Sequence, residues 1–207
     1  MEEWKTEQEA FWAGDFGNDY AKRNLDDKQA IASRVGLWAK VLDGLSSPIS
    51  SVLELGANIG INVDALNILL PNARYSAVEI NESAVNILRK KNIEVFHESI
   101  LQFSSERTWD LVFTSGVLIH LNPDALPQVY SLMNKSSSKY VFMSEYYNPI
   151  PVEVEYRGNA DRMFKRDFAG EFMDAYPEFY LKHYGFVYYR DVFFPVDDIN
   201  WFCLKRK

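Results

Sequence analysis

The sequence predicts an α/β domain, doubly wound around a mainly parallel sheet of seven strands. Three observations lead there. Between residues 52 and 145, short strands rich in β-branched and aromatic side chains alternate with helical patterns, the rhythm of a parallel sheet with helices on both faces. The run 109–116 is nearly continuous apolar, as a strand buried on both faces should be. The last two apolar runs, 185–194 and 199–205, face each other across 195–198 and predict a C-terminal antiparallel hairpin. A chain of 207 residues is long enough for one domain with a full core. Residues 1–46 read as an N-terminal helical lid and 148–178 as an insertion on the substrate side.

Taken in order, Ile31, Val35, Trp38, Val41, Leu42 and Leu45 recur at three- and four-residue spacing, an amphipathic helix covering the sheet. Before it, the aromatic pair Phe11 and Trp12, a turn over 14–17, and Tyr20 and Arg23 one helical turn apart form a less ordinary segment running to Asn24. The first strand, 52–55, ends in a glycine-punctuated turn holding Glu54, Gly56, Asn58, Gly60 and Asn62, and a helix follows until Pro71. Glycine lets the backbone turn sharply and lets a ligand lie against it, and asparagine tolerates the left-handed conformation. The second strand, 74–79, ends in Glu79, where a carboxylate is placed to accept both ribose hydroxyls of an adenosine cofactor. A third strand, 93–97, leads to Glu98, Ser99 and Ile100. The fourth leads through Ser115 to His120, and the fifth, 139–145, ends in Glu145, Tyr146 and Tyr147. Ligands of such sheets sit beyond the carboxyl ends of the strands, and Glu54, Glu79, Ser99, Ser115 and Glu145 all fall on that edge.

Glu54, Gly56, Asn58 and Gly60, followed by Glu79, resemble the cofactor loop of class I S-adenosylmethionine (SAM) dependent methyltransferases, with Asn58 in place of the usual middle glycine. The resemblance implies a Rossmann-like fold, SAM as cofactor and S-adenosylhomocysteine (SAH) as product. It places Glu98 or Ser99 on the adenine amine with Ile100 on the ring, and the aromatic lid segment then offers Arg23 to the methionine carboxylate and Tyr20 to the sulfonium. Three segments together are similar to something narrower: 9–24, 54–62 with 117–121, and 156–172. They resemble the methylases associated with pseudaminic acid biosynthesis, which implies a small, anionic, sugar-related acceptor such as a nonulosonic acid or nucleotide-sugar. Similar proteins also use SAM in other ways, including closure of its aminocarboxypropyl arm to azetidine-2-carboxylate with release of methylthioadenosine. A third reading is a SAM-binding partner protein without turnover.

Methyl transfer is an in-line displacement that needs alignment of the acceptor and, for a hydroxyl or ammonium, a base. His120 is the candidate base, with Glu145 and Asp167 as alternatives. Tyr146 and Tyr147 are placed to cage a sulfonium or stack on an acceptor. Arg157 and Arg166 are the candidate acceptor cations, beside Lys165 read as a solvated charge.

A net charge of −7 argues against nucleic acid as substrate. The single Cys203 excludes an internal disulfide and a cysteine metal cluster, and the three histidines are too far apart in sequence to recommend a metal. No apolar run approaches membrane-spanning length, and Met1-Glu2-Glu3-Trp4-Lys5 lacks the basic and apolar segments of an export leader, so a cytoplasmic protein is expected.

Overall fold

A computed structural model describes residues 4–23 and 28–207; the Met1 to Glu3 start and the Asn24 end of the lid segment lie outside the described residues. Seven strands form one sheet in the order β3-β2-β1-β4-β5-β9-β8. These are β1 (Ser51–Leu55), β2 (Arg74–Glu79), β3 (Glu94–His97), β4 (Trp109–Ser115), β5 (Ser137–Glu145), β8 (Phe179–Val187) and β9 (Ile199–Arg206). Strands β1 to β5 pair in parallel, while β9 runs antiparallel to β5 and β8 antiparallel to β9. The order reverses between β1 and β4, so the loops after both open on a crevice at the carboxyl edge.

The sheet is filled on both faces. On one, Trp38 of α3 (Lys28–Asp43) is fully buried and packs on Phe113 of β4 and Phe142 of β5, at ring separations of 4.8 and 4.7 Å. Leu66 of α4 (Ile61–Leu69) joins that cluster. On the other face, Val129 and Met133 of α6 (Leu126–Ser136) and Phe172 of α7 (Phe168–Ala175) cover Leu53, Val112 and Val141. The helix α5 (Glu82–Leu88) follows β2 directly and is capped by Asn81, whose side chain accepts from the Ala84 N–H. Among the described residues no helix is long and apolar enough to cross a membrane.

Two stretches differ from the expectation. The 148–178 connection is not a loose loop: β6 (Val152–Tyr156) and β7 (Asn159–Lys165) form a separate two-stranded hairpin. Its two-residue turn, Arg157–Gly158, has positive φ at both positions (51° and 80°), the geometry whose twist suits a tight hairpin. The hairpin is followed by α7, the helix of this stretch. In the C-terminal pair, β8 begins at Phe179 and ends at Val187, so the residues read as its second half form the connection to β9. The N-terminal lid contains α1 (Glu7–Ala13) and α2 (Asp15–Arg23). Asn18 lies inside α2 and turns its side chain to Asn81 and Ser83.

Candidate functional site

A cavity of about 310 Å³ opens at the carboxyl edge, between the β1, β2 and β4 loops and the α1–α2 lid. Its floor is the first glycine turn. Gly56 (φ 76°), Asn58 (φ 48°) and Gly60 (φ 81°) are all left-handed, which strains any residue except glycine and, to a lesser degree, asparagine. A Cβ on Gly56 would stand 2.7 Å from Val117, so the turn packs too closely for a side chain. Asn58 takes the left-handed conformation the sequence reading allowed it, and its N–H donates to Glu79 Oε2 at 2.6 Å.

Two buried carboxylates flank this turn. Glu54 accepts from Asn62 Nδ2 at 2.8 Å through Oε1, and Asn62 in turn accepts from Trp38 Nε1 at 3.2 Å. Glu54 Oε2 has no partner, and burial raises the Glu54 pKa to about 8. Glu79 is held by the N–H groups of Asn58 and Asn81; burial raises its pKa as well, against those hydrogen bonds. Above the turn stands Arg34 of α3, which lines the cavity with Nη1 sealed from solvent and unpartnered. Glu54 and Arg34 feel each other's charge, and each keeps one buried polar atom without a partner.

The other end of the cavity is aromatic. His120 sits in the short turn Leu118–His120 after β4, with its ring 4.8 Å from Trp12 and 4.7 Å from Tyr156. Its Nδ1 lies 2.6 Å from the Arg162 carbonyl of β7. A carbonyl only accepts, so Nδ1 carries the proton and Nε2 keeps the lone pair. Burial lowers the His120 pKa to about 4, and the ring is neutral at neutral pH. The lid is fastened over both ends. Ser99 Oγ bonds Glu9 of α1, Lys5 Nζ reaches the Leu101 carbonyl at 2.8 Å, and Gln8 Nε2 reaches the Asp161 carbonyl of the hairpin at 3.1 Å.

Most of the residues expected at the site line this cavity: Tyr20, Glu54, Gly56, Asn58, Asn62 and Glu79, with Ser99, Ile100, Ser115 and His120. The others do not. Gly60 starts α4, and its Cβ would strike Leu88 beneath the turn. Arg23 is exposed and stacks on Phe16 and Tyr20, with its guanidinium carbon 5.8 and 5.6 Å from their ring centroids. Glu145 is buried under the β4 loop, where it accepts from the Val117 N–H at 3.1 Å; burial raises its pKa to about 7. It braces the loop that carries His120 and does not face the cavity. Tyr146 feels the charge of Asp197 and lies under Lys165, while Tyr147 packs at a tilt on Phe202 outside the cavity. Arg157 is exposed at the hairpin turn over Tyr156, and Arg166 is paired with Glu171 at 2.6 Å. Asp167 caps α7 through the Gly170 N–H. Trp12, Arg34, Asn81 and Asp197 line the cavity without having been singled out. Trp12 had a signal, its place in the aromatic lid segment; Arg34 stood in a helix read only for its apolar stripe.

Residues 52–137 match the family described as a methyltransferase domain. No curated protein matches the chain. Among solved structures, the chain is similar to magnesium protoporphyrin IX methyltransferase from Synechocystis PCC 6803 with bound SAM, at TM-score 0.68 and 12% identity, covering 99% of this chain and 100% of that one. It is similar to 1,6-didemethyltoxoflavin-N1-methyltransferase of Burkholderia thailandensis with bound SAH, at TM-score 0.67 and 14% identity, covering 92% and 84%. A plantazolicin methyltransferase bound to SAH follows at TM-score 0.65 and 12% identity, covering 97% and 94%. Identities this low carry the fold, and the matched segment contains β1, the glycine turn, Glu79 and His120. Residues 52–137 match a methyltransferase domain, and the fold and strand order around them are those of class I SAM-dependent methyltransferases.

Proposed function

We propose that this protein transfers the SAM methyl group to a small acceptor held between the glycine turn and the α1–α2 lid. The observation that carries the reading is the unpartnered pair in the cavity, Glu54 Oε2 and Arg34 Nη1. Together they complement the ammonium and carboxylate of an α-amino acid, which is one end of SAM. Glu79 offers lone pairs to a ribose diol, and Ser99 with Ile100 borders the space left for a base. When bound, SAM supplies an electrophilic methyl on sulfur; the protein supplies alignment and exclusion of water.

His120 Nε2 is the acceptor-facing lone pair in this reading. With its pKa near 4 the ring orients a donor and takes a proton only from a group that becomes acidic as its new bond to carbon forms. The cavity volume lies at the low end of the ~300–1,000 Å³ typical of small-molecule sites, which favours a small acceptor under the closed lid.

The finer reading, a nonulosonic acid or nucleotide-sugar acceptor, is supported by the resemblance of the three segments. All three meet at His120, whose ring is in contact with Trp12 of α1 and Tyr156 of β6. Among the described residues Arg34 is the one Arg or Lys lining the cavity. Once it serves the cofactor carboxylate, a hydroxyl-bearing, uncharged portion of such a sugar fits the aromatic end better than its anionic group.

The experiment is to incubate the purified protein with SAM alone, then with SAM and a panel of nonulosonic and nucleotide sugars, and to identify products by mass spectrometry. SAH formed only with an acceptor, beside a product one methylene heavier, is the expected result. Methylthioadenosine formed without any acceptor would overturn it and move the chemistry into SAM itself.

A further inference from the structure

We propose that Asn81 is a positioning residue that ties cofactor retention to the α1–α2 lid. Asn81 follows β2 and is 3% exposed. Three parts of it are committed at once. Its backbone N–H donates to Glu79 Oε1 at 2.7 Å. Its Oδ1 caps α5 by accepting from the Ala84 N–H at 3.0 Å. Its Nδ2 faces the elbow between α1 and α2, where Asn18 Oδ1 is 3.0 Å away and the carbonyls of Trp12 and Ala13 are 3.2 and 3.4 Å away. Ser83 Oγ donates to the same Asn18 oxygen at 2.8 Å.

The elbow is shaped for this clamp. A Cβ on Gly17 would stand 1.9 Å from the Trp12 carbonyl and 2.8 Å from Asn81 Nδ2, so only glycine lets α2 approach. Glu9, Trp12, Gly17 and Tyr20 of the lid all line the cavity, and a ligand enclosed there leaves when the elbow lifts. The inference rests on SAM or SAH filling this cavity. A ribose diol bound to Glu79 would hold that carboxylate in the position that accepts from Asn81, and Asn81 holds the elbow. Coupling of this kind is reciprocal: a fastened lid slows ligand release, and a bound ligand fastens the lid.

The test separates the clamp from the helix cap. Asn81→Ser retains a hydroxyl that can cap α5 but has no amide to reach the elbow, and Asn18→Ala removes the elbow's acceptor from the other side. Both variants and the wild type are loaded with SAH, and release is followed by stopped-flow displacement. Backbone amide exchange over residues 7–23 is measured in the loaded proteins. Release about five- to tenfold faster in both variants, the scale of one or two lost neutral hydrogen bonds, is expected. Faster exchange confined to 7–23 should accompany it; a purely structural role would lower the melting temperature of the empty protein and leave the release rate alone. Wild-type protein that binds SAH, with variants that release it at the wild-type rate, overturns this inference and leaves the functional reading standing. Wild-type protein that binds neither SAM nor SAH overturns both.

Discussion

Arg34 and Glu54 show how a site can be left deliberately incomplete. Each is tied into the fold, Glu54 through Asn62 and Arg34 through the packing of α3, yet each keeps one buried polar atom without a partner. Such atoms cost about 1–3 kcal/mol apiece, a cost that a complementary ligand removes. Arg34→Ala is therefore expected to weaken SAH binding about 10- to 100-fold, the range for a lost hydrogen bond between charged groups. Arg23→Ala, which removes an exposed cation stacked on Phe16 and Tyr20, is expected to change it by less than about twofold. Calorimetric titration of the two variants checks both, and a larger loss at Arg23 would return the carboxylate to the lid. Glu54, Asn58 and Glu79 were legible because the turn constrains its residue types: only a few side chains tolerate left-handed backbone, and the acids stand at strand ends. Arg34 was not legible, because nothing in an amphipathic helix marks which of its charged side chains bends toward a cavity. Arg157 and Arg166 misled for the converse reason. A cluster of cations in an acidic chain suggests a ligand, but the partners of these two are Tyr156 and Glu171.

At the level of elements, the β6–β7 hairpin is the part the sequence concealed. Val152, Val154 and Tyr156 alternate with Glu153 and Glu155, the period-two pattern of a strand. The prolines at 149 and 151 and an unusual Arg157–Gly158 turn obscured it. The displaced boundary of β8 has a related cause. Gly185 reads as a chain break, but it lies within the strand because Trp201 packs against it, with ring atoms 2.5–2.9 Å from where its Cβ would be. The hairpin turn gives a direct prediction. Asparagine adopts positive φ more readily than arginine, and Asn-Gly is the preferred pair for this turn. Arg157→Asn should raise the melting temperature by ~1–3 °C and leave acceptor KM unchanged, as read by thermal melts and steady-state kinetics. A rise in KM would show that Arg157 reaches the acceptor after all. The lid elbow makes the opposite prediction. Gly17→Ala forces a methyl group against the Trp12 carbonyl, and SAH affinity should fall at least ~10-fold while far-ultraviolet circular dichroism stays that of the wild type. Retained affinity would mean that the elbow shifts without consequence for the cavity.

Across the whole molecule, the buried acids around the carboxyl edge make stability depend on pH in an unusual direction. Burial raises Glu54 to about 8 and Glu145 to about 7, and raises Glu79 as well. A carboxyl whose folded pKa exceeds its unfolded one contributes stability that is full below the unfolded value, near 4.5, and is lost as pH rises through the folded value. His120 acts the other way. Its folded pKa of about 4 lies below the unfolded 6.5, so its contribution is full above 6.5 and is lost as pH falls toward 4. The two trends cross in mildly acidic solution. The empty protein should melt highest near pH 5–6, and its melting temperature should fall by several degrees, ~3 °C or more, on going to pH 8. SAH reverses part of that fall, because an ammonium beside Glu54 favours the ionised carboxylate; its stabilising effect should grow from pH 6 to pH 8. Glu54→Gln keeps an oxygen for Asn62 but cannot ionise. In that variant the fall toward pH 8 should flatten, and the extra protection by SAH at high pH should disappear. Thermal melts of both proteins at pH 5.5, 6.5 and 8, with and without saturating SAH, measure these quantities together. If wild type and Glu54→Gln decline in parallel, the ionisation of Glu54 is not what couples the cavity to the fold, and the unpartnered Oε2 loses its claim on the cofactor's ammonium.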